Sequence, residues 1–240
     1  MDRQGAREGV ETVAFPGGVA LFAAAASAPA DASSEALARA ADDHLTRAVG
    51  RAVPVLYARQ EHTRITFTYS AAAPLEPGPH LVGVCDALIT AERGVALCVR
   101  TADCLPIVLA GGGVVAMVHA GWRGLAADIL GAALARLDAE LGVSARSVAA
   151  AIGVGVGPCH YRVGDEVVTA LARHQVTDDG WRQGDRVDLA RWARGRLVAL
   201  GVAPHEIIVL PGCTACSPGY HSYRRDGAQA GRQWNAAILL

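Results

Sequence analysis

Two apolar runs in the middle of the chain set the expected fold. Residues 105–110 and 114–118 are rich in Val, Leu and Ile, and three consecutive glycines at 111–113 separate them. Strand-length runs with β-branched residues around a glycine turn predict a buried β-hairpin. The open ends of a hairpin meet at one edge of a sheet. We therefore expect Cys104, just before the first run, to lie near His119, just after the second.

Other elements follow from the same patterns. Apolar spacing predicts helices at 35–49, 124–141, 163–174, 188–200 and 229–240, with loops at 27–34 and 71–80. Further strands are predicted at 10–15, 19–24, 53–58, 65–69, 81–90, 94–100, 147–154 and 206–210. Because strands and helices do not alternate strictly, we predict one α+β domain over residues 1–240 with mixed sheets.

Composition narrows the classes of partner. The chain has 240 residues, of which 52% are hydrophobic and only 5% aromatic, and its net charge is −1. The sequence has no block of Lys and Arg of the kind that binds nucleic acid or a membrane surface, so we favour a small-molecule partner. The apolar stretch at 19–26 follows acidic residues and a Pro16-Gly17-Gly18 turn, so we expect a hairpin there and not a signal peptide. Six cysteines without scaffold-like spacing favour reduced thiols and a cytoplasmic protein, whereas the oligomeric state is not indicated.

The Cys104–His119 pair suggests either of two chemistries. A thiolate and an imidazole suit Zn²⁺, and a catalytic zinc site needs a third protein ligand and an open position. His62, in a polar turn between two predicted strands, is the leading third ligand, although His80, His160 and His221 stay open as alternatives. Without metal, Cys104 would be a nucleophile and His119 its base.

Polar groups near these residues indicate an anionic substrate. Asp103 and Arg123 adjoin the pair, and the predicted strand-to-helix passage after His119 would present free N–H groups to an anion. Arg224 lies in a second polar turn. Residues 153–159 fit a pocket lining better than a dinucleotide fingerprint. The Cys-x-x-Cys at 213–216 has no second pair at zinc-ribbon distance, so a redox or metal role for it is not favoured.

Two enzyme classes lack required pieces. Zinc nucleobase deaminases need His-x-Glu, and multicopper oxidases use many histidines, usually in His-x-His pairs. Neither pattern occurs in the chain. Copper is therefore a less favoured cofactor than zinc.

The motifs together resemble a known family. Residues 101–106 (TADCLP), 119–124 (HAGWRG), 157–159 (GPC) and 222–226 (SYRRD) are similar to those of the YfiH-type laccase-domain family, whose members are called polyphenol oxidases, peptidoglycan editing factors or purine nucleoside phosphorylases. The resemblance runs from about Gln60 to the C-terminus. The sequence departs from the family pattern at 60–63 (QEHT), where Gln-Val-His-Gly is usual, and in the N-terminal segment 15–34.

The resemblance implies a fold, a metal and an activity. The implied fold is a layered α/β/β/α sandwich with central mixed sheets. The implied zinc ligands are His62, Cys104 and His119. The implied activity is phosphorolysis of adenosine, inosine, guanosine and methylthioadenosine, with deamination of adenosine. On that basis Cys104, His119 and Asp103 are predicted catalytic residues, and Arg123 and Arg224 are predicted to bind phosphate. The alternatives are a metal-independent Cys/His hydrolase and a catalytically lapsed peptidoglycan quality-control protein.

Overall fold

Two large mixed sheets form the centre of the molecule. The computed structural model describes residues 1–7, 9–28 and 33–240. The seven-stranded sheet has the order β1 (Asp2–Arg7), β2 (Val10–Phe15), β3 (Gly18–Ala23), β15 (Gln233–Leu239), β8 (Ala96–Thr101), β4 (Pro54–Arg59) and β6 (Gly78–Val84). The six-stranded sheet has the order β14 (Ile207–Val209), β11 (Ala149–Ile152), β9 (Leu105–Gly111), β10 (Val114–Ala120), β7 (Ala87–Thr90) and β5 (Thr66–Tyr69). A separate pair joins β12 (Arg182–Gln183) to β13 (Arg186–Val187).

Helices cover the outer faces of both sheets. The α-helices in the described part of the chain are α1 (Ser34–Val49), α2 (Trp122–Ala126), α3 (Ile129–Leu141), α4 (Asp165–Leu171), α5 (Leu189–Ala199) and α6 (Tyr223–Asp226). No helix among the described residues has both the length and the apolar character needed to cross a membrane.

Three apolar cores separate the layers. One core packs α1 against the seven-stranded sheet, with Trp234 fully buried in it. A second, including Met117, lies between the two sheets. The third packs α3, α4 and α5 on the six-stranded sheet around Trp192. Helix, sheet, sheet and helix are thus stacked in that order, which confirms the predicted α+β class and layered sandwich.

The central hairpin is confirmed. β9 and β10 pair antiparallel with Leu105 opposite Ala120, so Cys104 and His119 lie at the same edge. Both strands are buried on both faces, which explains their unbroken apolar runs. The N-terminal hairpin of β2 and β3 is also confirmed.

Other predicted elements need correction. Residues 229–240 do not form a helix; they contain β15, which pairs with β3 and β8 in the middle of its sheet. The predicted helix 124–141 is divided, because Asp128 adopts a left-handed φ of 65° and caps α3 by accepting a hydrogen bond from Gly131 N–H. The predicted strand 81–90 is broken at 85–86, and β6 begins inside the predicted loop 71–80. Of the predicted loop 27–34, residues 29–32 lie outside the described residues.

Candidate metal centre and pocket

Four chain segments meet at one edge of the six-stranded sheet. β5 and β7 are parallel, so the segments before them, carrying His62 and Asp86, lie side by side. β10 is antiparallel to β7 and β9 to β10, which places His119 and Cys104 at the same edge. Backbone bonds join the segments: His119 N–H donates to the Asp86 carbonyl at 2.8 Å. The pairing of the strands thus brings residues between positions 62 and 119 together at one site.

Asp86 is the hydrogen-bond centre of this edge. Its buried carboxylate accepts from the backbone N–H groups of Glu61, His62 and Thr63 at 3.3, 3.0 and 2.6 Å, and from the Thr63 hydroxyl at 2.7 Å. His119 Nδ1 donates to the same carboxylate at 2.8 Å. Burial alone would raise the pKa of Asp86, but the bonds from His119 and Thr63 outweigh it and lower the pKa to about 2. The ionised carboxylate therefore holds both the His62 turn and the His119 ring.

Three potential metal ligands face each other at this edge. Cys104 Sγ is 3.7 Å from His62 Nε2, and the ligand atoms of His62, Cys104 and His119 all lie within 4.8 Å of one another. The two imidazole rings are nearly perpendicular, with centroids 4.8 Å apart. Since Nδ1 of His119 is bonded to Asp86, its Nε2 is the nitrogen left for a ligand.

Electrostatics favour a thiolate in this cluster. Burial opposes ionisation of Cys104, but the charge of His119 and hydrogen bonds to His119 and His62 lower the pKa of the thiol. Burial likewise opposes protonation of His119, yet the Cys104 thiolate and Asp86 raise its pKa. Cys104 is thus prepared either to ligate a metal or to act as a nucleophile.

Backbone geometry around the cluster is unusual. His62 and Asp103 both have left-handed φ values, 59° and 83°, which non-glycine residues rarely adopt. Gly121 lies against the cluster, because a Cβ there would come within 2.8 Å of both Cys104 Sγ and the His62 ring. The close approach of these side chains therefore requires two strained backbone conformations and a glycine at position 121.

The donor set fits a zinc ion of the catalytic type. One thiolate and two imidazoles are ligands that Zn²⁺ prefers, and three protein ligands leave a position open. The carboxylate on the far nitrogen of His119 is the outer-shell partner typical of zinc-bound histidine. His80, His160 and His221, the alternatives left open by the sequence, are not in this cluster.

The cluster lies in a cavity of about 860 Å³. Four arginines line it, and none forms an ion pair with a carboxylate among the described residues: Arg100, Arg123, Arg224 and Arg232. Burial, reinforced by the charge of Arg232, lowers the pKa of Arg100. Unpaired guanidinium groups around a cavity give it a strong preference for anions.

Aromatic rings complete the wall of this cavity. Trp122, Tyr161 and Tyr223 all face it. The Arg123 guanidinium stacks on Trp122 at 4.6 Å, and that of Arg224 lies 5.2 Å from the Tyr161 ring. Flat faces beside fixed cations suit a planar ligand that carries, or is accompanied by, an anion.

The Asp103 carboxylate accepts hydrogen bonds from other residues of the chain. Its Oδ1 accepts from the Thr214 hydroxyl at 2.5 Å and its Oδ2 from the Arg224 backbone N–H at 2.6 Å. These bonds tie the start of β9 to the segment that carries Arg224. A catalytic role for Asp103 stays a prediction, and its bonds fit positioning of the cavity wall.

The structure thus brings His62, Cys104, His119, Arg123 and Arg224 to one cavity. The helix that opens after His119 is only the five-residue α2, and the anion site expected at its start stays a prediction. Asp86, which lies inside a predicted strand, was not among the predicted site residues, and neither were Arg100 and Arg232. An isolated acidic residue within an apolar run was the one signal that pointed to Asp86.

The chain is similar in sequence to proteins that are named for activities on purine nucleosides. A purine nucleoside phosphorylase of Bacteroides thetaiotaomicron is 32% identical over 189 residues, which cover 75% of this chain and 70% of that protein. An adenosine deaminase, RL5, from an unknown prokaryote is 36% identical over 156 residues, covering 61% of this chain and 59% of that protein.

Solved structures share the architecture. YlmD from Geobacillus stearothermophilus superposes with a TM-score of 0.82 at 25% identity, covering 99% of this chain and 98% of that one. YfiH from Bacillus licheniformis gives a TM-score of 0.84 at 18% identity, covering 99% of both chains, and shows the likeness of fold. A family model described as multi-copper polyphenol oxidoreductase laccase matches residues 27–240, and the chain therefore belongs to this laccase-domain family, of the YfiH type.

Proposed function

We propose that the protein is a zinc-dependent purine nucleoside phosphorylase that also deaminates adenosine. The observation that carries the proposal is the cluster of His62, Cys104 and His119 in a cavity lined by unpaired arginines. Relatives named purine nucleoside phosphorylase and adenosine deaminase support the substrate class. The proposed substrates are adenosine, inosine, guanosine and methylthioadenosine, together with phosphate.

His62, Cys104 and His119 would hold the metal. Zn²⁺ supplies a Lewis acid at such a site and makes water nucleophilic near neutral pH. Asp86 fixes the ring orientation of His119 and, through three backbone N–H groups, the position of His62. The chain therefore presents preformed ligands, which lowers the cost of ordering them when metal binds.

The arginines would hold phosphate against the sugar. In phosphorolysis a phosphate oxygen forms a bond to C1′ of the ribose, and the base leaves with the electron pair of the glycosidic bond. Arg123 and Arg224 are held over aromatic rings, so their guanidinium groups are fixed in direction. Arg100 and Arg232 add positive charge without a carboxylate that would compete with phosphate. Such fixed cations position the nucleophile and stabilise charge in the transition state.

The aromatic wall would hold the purine. Tyr161 is buried and Tyr223 is exposed at the cavity, so one ring is fixed and the other can adjust to the ligand. Stacking on a ring face accepts any purine, which fits activity on several nucleosides. For deamination, water attacks C6 of adenine and ammonia leaves.

The test is an assay of purified protein with adenosine or inosine and phosphate, with bases and nucleosides separated by chromatography. We expect free base to form with phosphate, and inosine to form from adenosine. His62→Ala should reduce both rates at least about 100-fold, since a metal ligand is lost. His205→Ala, at a histidine with an 82% exposed side chain that is not part of the cavity lining, is the matched control and should have wild-type activity. No product above the His62→Ala level would overturn the proposal.

A metal-independent cysteine hydrolase is the second candidate, because the pKa of Cys104 is lowered by His119. In that case Cys104 would be alkylated rapidly by iodoacetamide in protein as purified, and chelator treatment would leave activity unchanged. Zinc at the cluster predicts the reverse: slow alkylation that becomes fast after chelation.

A further inference from the structure

A second group of metal-ligand side chains lies outside the cavity. β11 and β14 are parallel neighbours, so the segments that follow them emerge at the same edge of the sheet. The glycine-rich turn after β11 carries Cys159 and His160. The loop after β14 carries Cys213 and Cys216. Backbone bonds hold the segments together, including Thr214 N–H to the Gly155 carbonyl at 3.0 Å.

The four side chains converge on one point. Their ligand atoms all lie within 4.8 Å of one another. His160 Nδ1 is 3.4 Å from Cys159 Sγ, 3.3 Å from Cys216 Sγ and 3.9 Å from Cys213 Sγ. The sulfurs of Cys159 and Cys216 are 3.3 Å apart, well beyond the roughly 2.05 Å of a disulfide, and all three cysteines of the group are free thiols. Tetrahedral Zn²⁺ with bonds of about 2.3 Å to sulfur and about 2.0 Å to nitrogen separates its ligands by roughly 3.5–3.8 Å.

The backbone is arranged to receive thiolates here. Gly157 N–H donates to Cys213 Sγ at 3.1 Å. A Cβ at Gly157 would lie 3.1 Å from Cys213 Cβ and 3.5 Å from Cys159 Sγ, so glycine leaves room beside both cysteines. Backbone N–H groups aimed at sulfur are the outer-shell partners that metal thiolates use.

We propose that Cys159, His160, Cys213 and Cys216 form a structural Zn²⁺ site. Three thiolates and one imidazole fill a tetrahedral shell completely, so this site has no open position for a substrate. Binding replaces the protons of the three thiols, which are released to solvent. This site is independent of the proposed function, because its residues lie in the segments after β11 and β14 and belong to a different cluster.

The site would fasten two parts of the cavity wall to each other. Tyr161, which faces the cavity, follows His160 directly. On the other segment, the Thr214 hydroxyl bonds to Asp103, and Arg225 donates to the carbonyls of Thr214 and Ser217 at 3.0 Å each. A metal crosslink between two loops removes conformations of the unfolded chain and stabilises the loops against local opening.

The first experiment measures zinc by elemental analysis in protein purified under reducing conditions without added metal. The variant Cys104→Ala removes the other candidate site, and we expect it to retain about one zinc per chain. Adding Cys159→Ser and Cys216→Ser to that variant should remove this zinc. Cys98→Ala, at a buried cysteine outside both clusters, is the matched control and should leave the zinc content unchanged. Loss of all zinc on Cys104→Ala alone would overturn the proposal while leaving the proposed function intact.

A second experiment guards against variants that fail to fold. Metal-free Cys104→Ala protein is titrated with Co²⁺, and we expect intense tetrahedral ligand-field bands and a charge-transfer band typical of several thiolates. Cys216→His keeps a ligand at that position, so it should still bind one Co²⁺ with a weaker charge-transfer band, whereas Cys216→Ser should bind more weakly. Octahedral spectra in Cys104→Ala, or a Cys159–Cys216 disulfide found by mass spectrometry of the reduced preparation, would overturn the proposal.

Discussion

Asp86→Asn tests whether one buried carboxylate organises the candidate metal centre. Oδ1 accepts from His62 N–H and His119 Nδ1, and Oδ2 accepts from the two N–H groups of residues 61 and 63 and from the Thr63 hydroxyl. Asparagine keeps one acceptor oxygen. If that oxygen takes the place of Oδ2, the amide NH₂ takes the place of Oδ1 and faces two donors, His62 N–H and His119 Nδ1–H. Both of these hydrogen bonds are then lost.

The expected loss of stability follows from the two hydrogen bonds that are lost. Two hydrogen bonds to a charged acceptor contribute about 1.5–3 kcal/mol each, so metal-free Asp86→Asn should lose about 3–6 kcal/mol of unfolding free energy. His119 can recover a bond only by moving its proton to Nε2, the nitrogen needed for metal. Zinc affinity should therefore fall about 10–100-fold.

Urea unfolding of metal-free protein and competition with a chelator for zinc are the two assays. Thr63→Val is the matched control. It removes a hydroxyl that donates to Asp86 at 2.7 Å and accepts from Ile65 N–H at 3.1 Å, and it leaves the His119 bond in place. It should lose about 1.5 kcal/mol and keep its zinc affinity. Equal stability losses in the two variants, with zinc affinity of Asp86→Asn within about twofold of wild type, would refute the reasoning.

The same carboxylate predicts an acid dependence. Its pKa falls from 3.8 to about 2 on folding, so it contributes about 2 kcal/mol that is fully present above the unfolded pKa and is lost as pH falls through the folded pKa. The difference in stability between wild type and Asp86→Asn should therefore shrink between about pH 4 and pH 2. A difference that stays constant over this range would contradict an ionised Asp86.

Three further predictions concern the cavity. Gly121→Ala places a Cβ within 2.8 Å of Cys104 Sγ, so its zinc affinity in chelator competition should be at least about tenfold lower than that of wild type. Gly219→Ala is the control, because a Cβ there meets only a serine hydroxyl at 3.4 Å, and it should bind zinc as wild type does. Arg232→Met removes an unpaired cation, so the KM for phosphate should rise with little change in the KM for nucleoside; equal changes in both would contradict a phosphate role. Asp103→Asn leaves one of its two donors without an acceptor, so limited proteolysis should cut residues 213–226 faster than in wild type, and unchanged cleavage would count against positioning by Asp103.

The sequence by itself determined the centre of the site. The hairpin of β9 and β10 depends on local apolar runs and a glycine turn, and hairpin geometry alone places Cys104 beside His119. His62 was the leading third ligand from its place in a polar turn, and the resemblance of motifs implied the same residue. The structure places His62 Nε2 3.7 Å from Cys104 Sγ. Apolar spacing predicted a helix at 35–49, and α1 spans Ser34–Val49.

Only the tertiary structure decided the C-terminal segment. In β15, Trp234 and Ile238 face α1 while Ala237 and Leu239 face the other sheet, so both faces are buried. After Asn235 the strand is therefore apolar at every position, and a run of Ala, Ile and Leu is also favourable in a helix. Pairing with β3 and β8, which are distant in sequence, selects the strand.

Tertiary structure also decided what surrounds the candidate ligands. Asp86 reaches the site through parallel pairing of β5 with β7, and the Cys159–Cys216 group assembles through parallel pairing of β11 with β14. Parallel neighbours are joined by long connections, so residues far apart in the chain share one sheet edge. Sequence spacing measures distance along the chain, whereas these clusters depend on strand order, which long-range pairing sets.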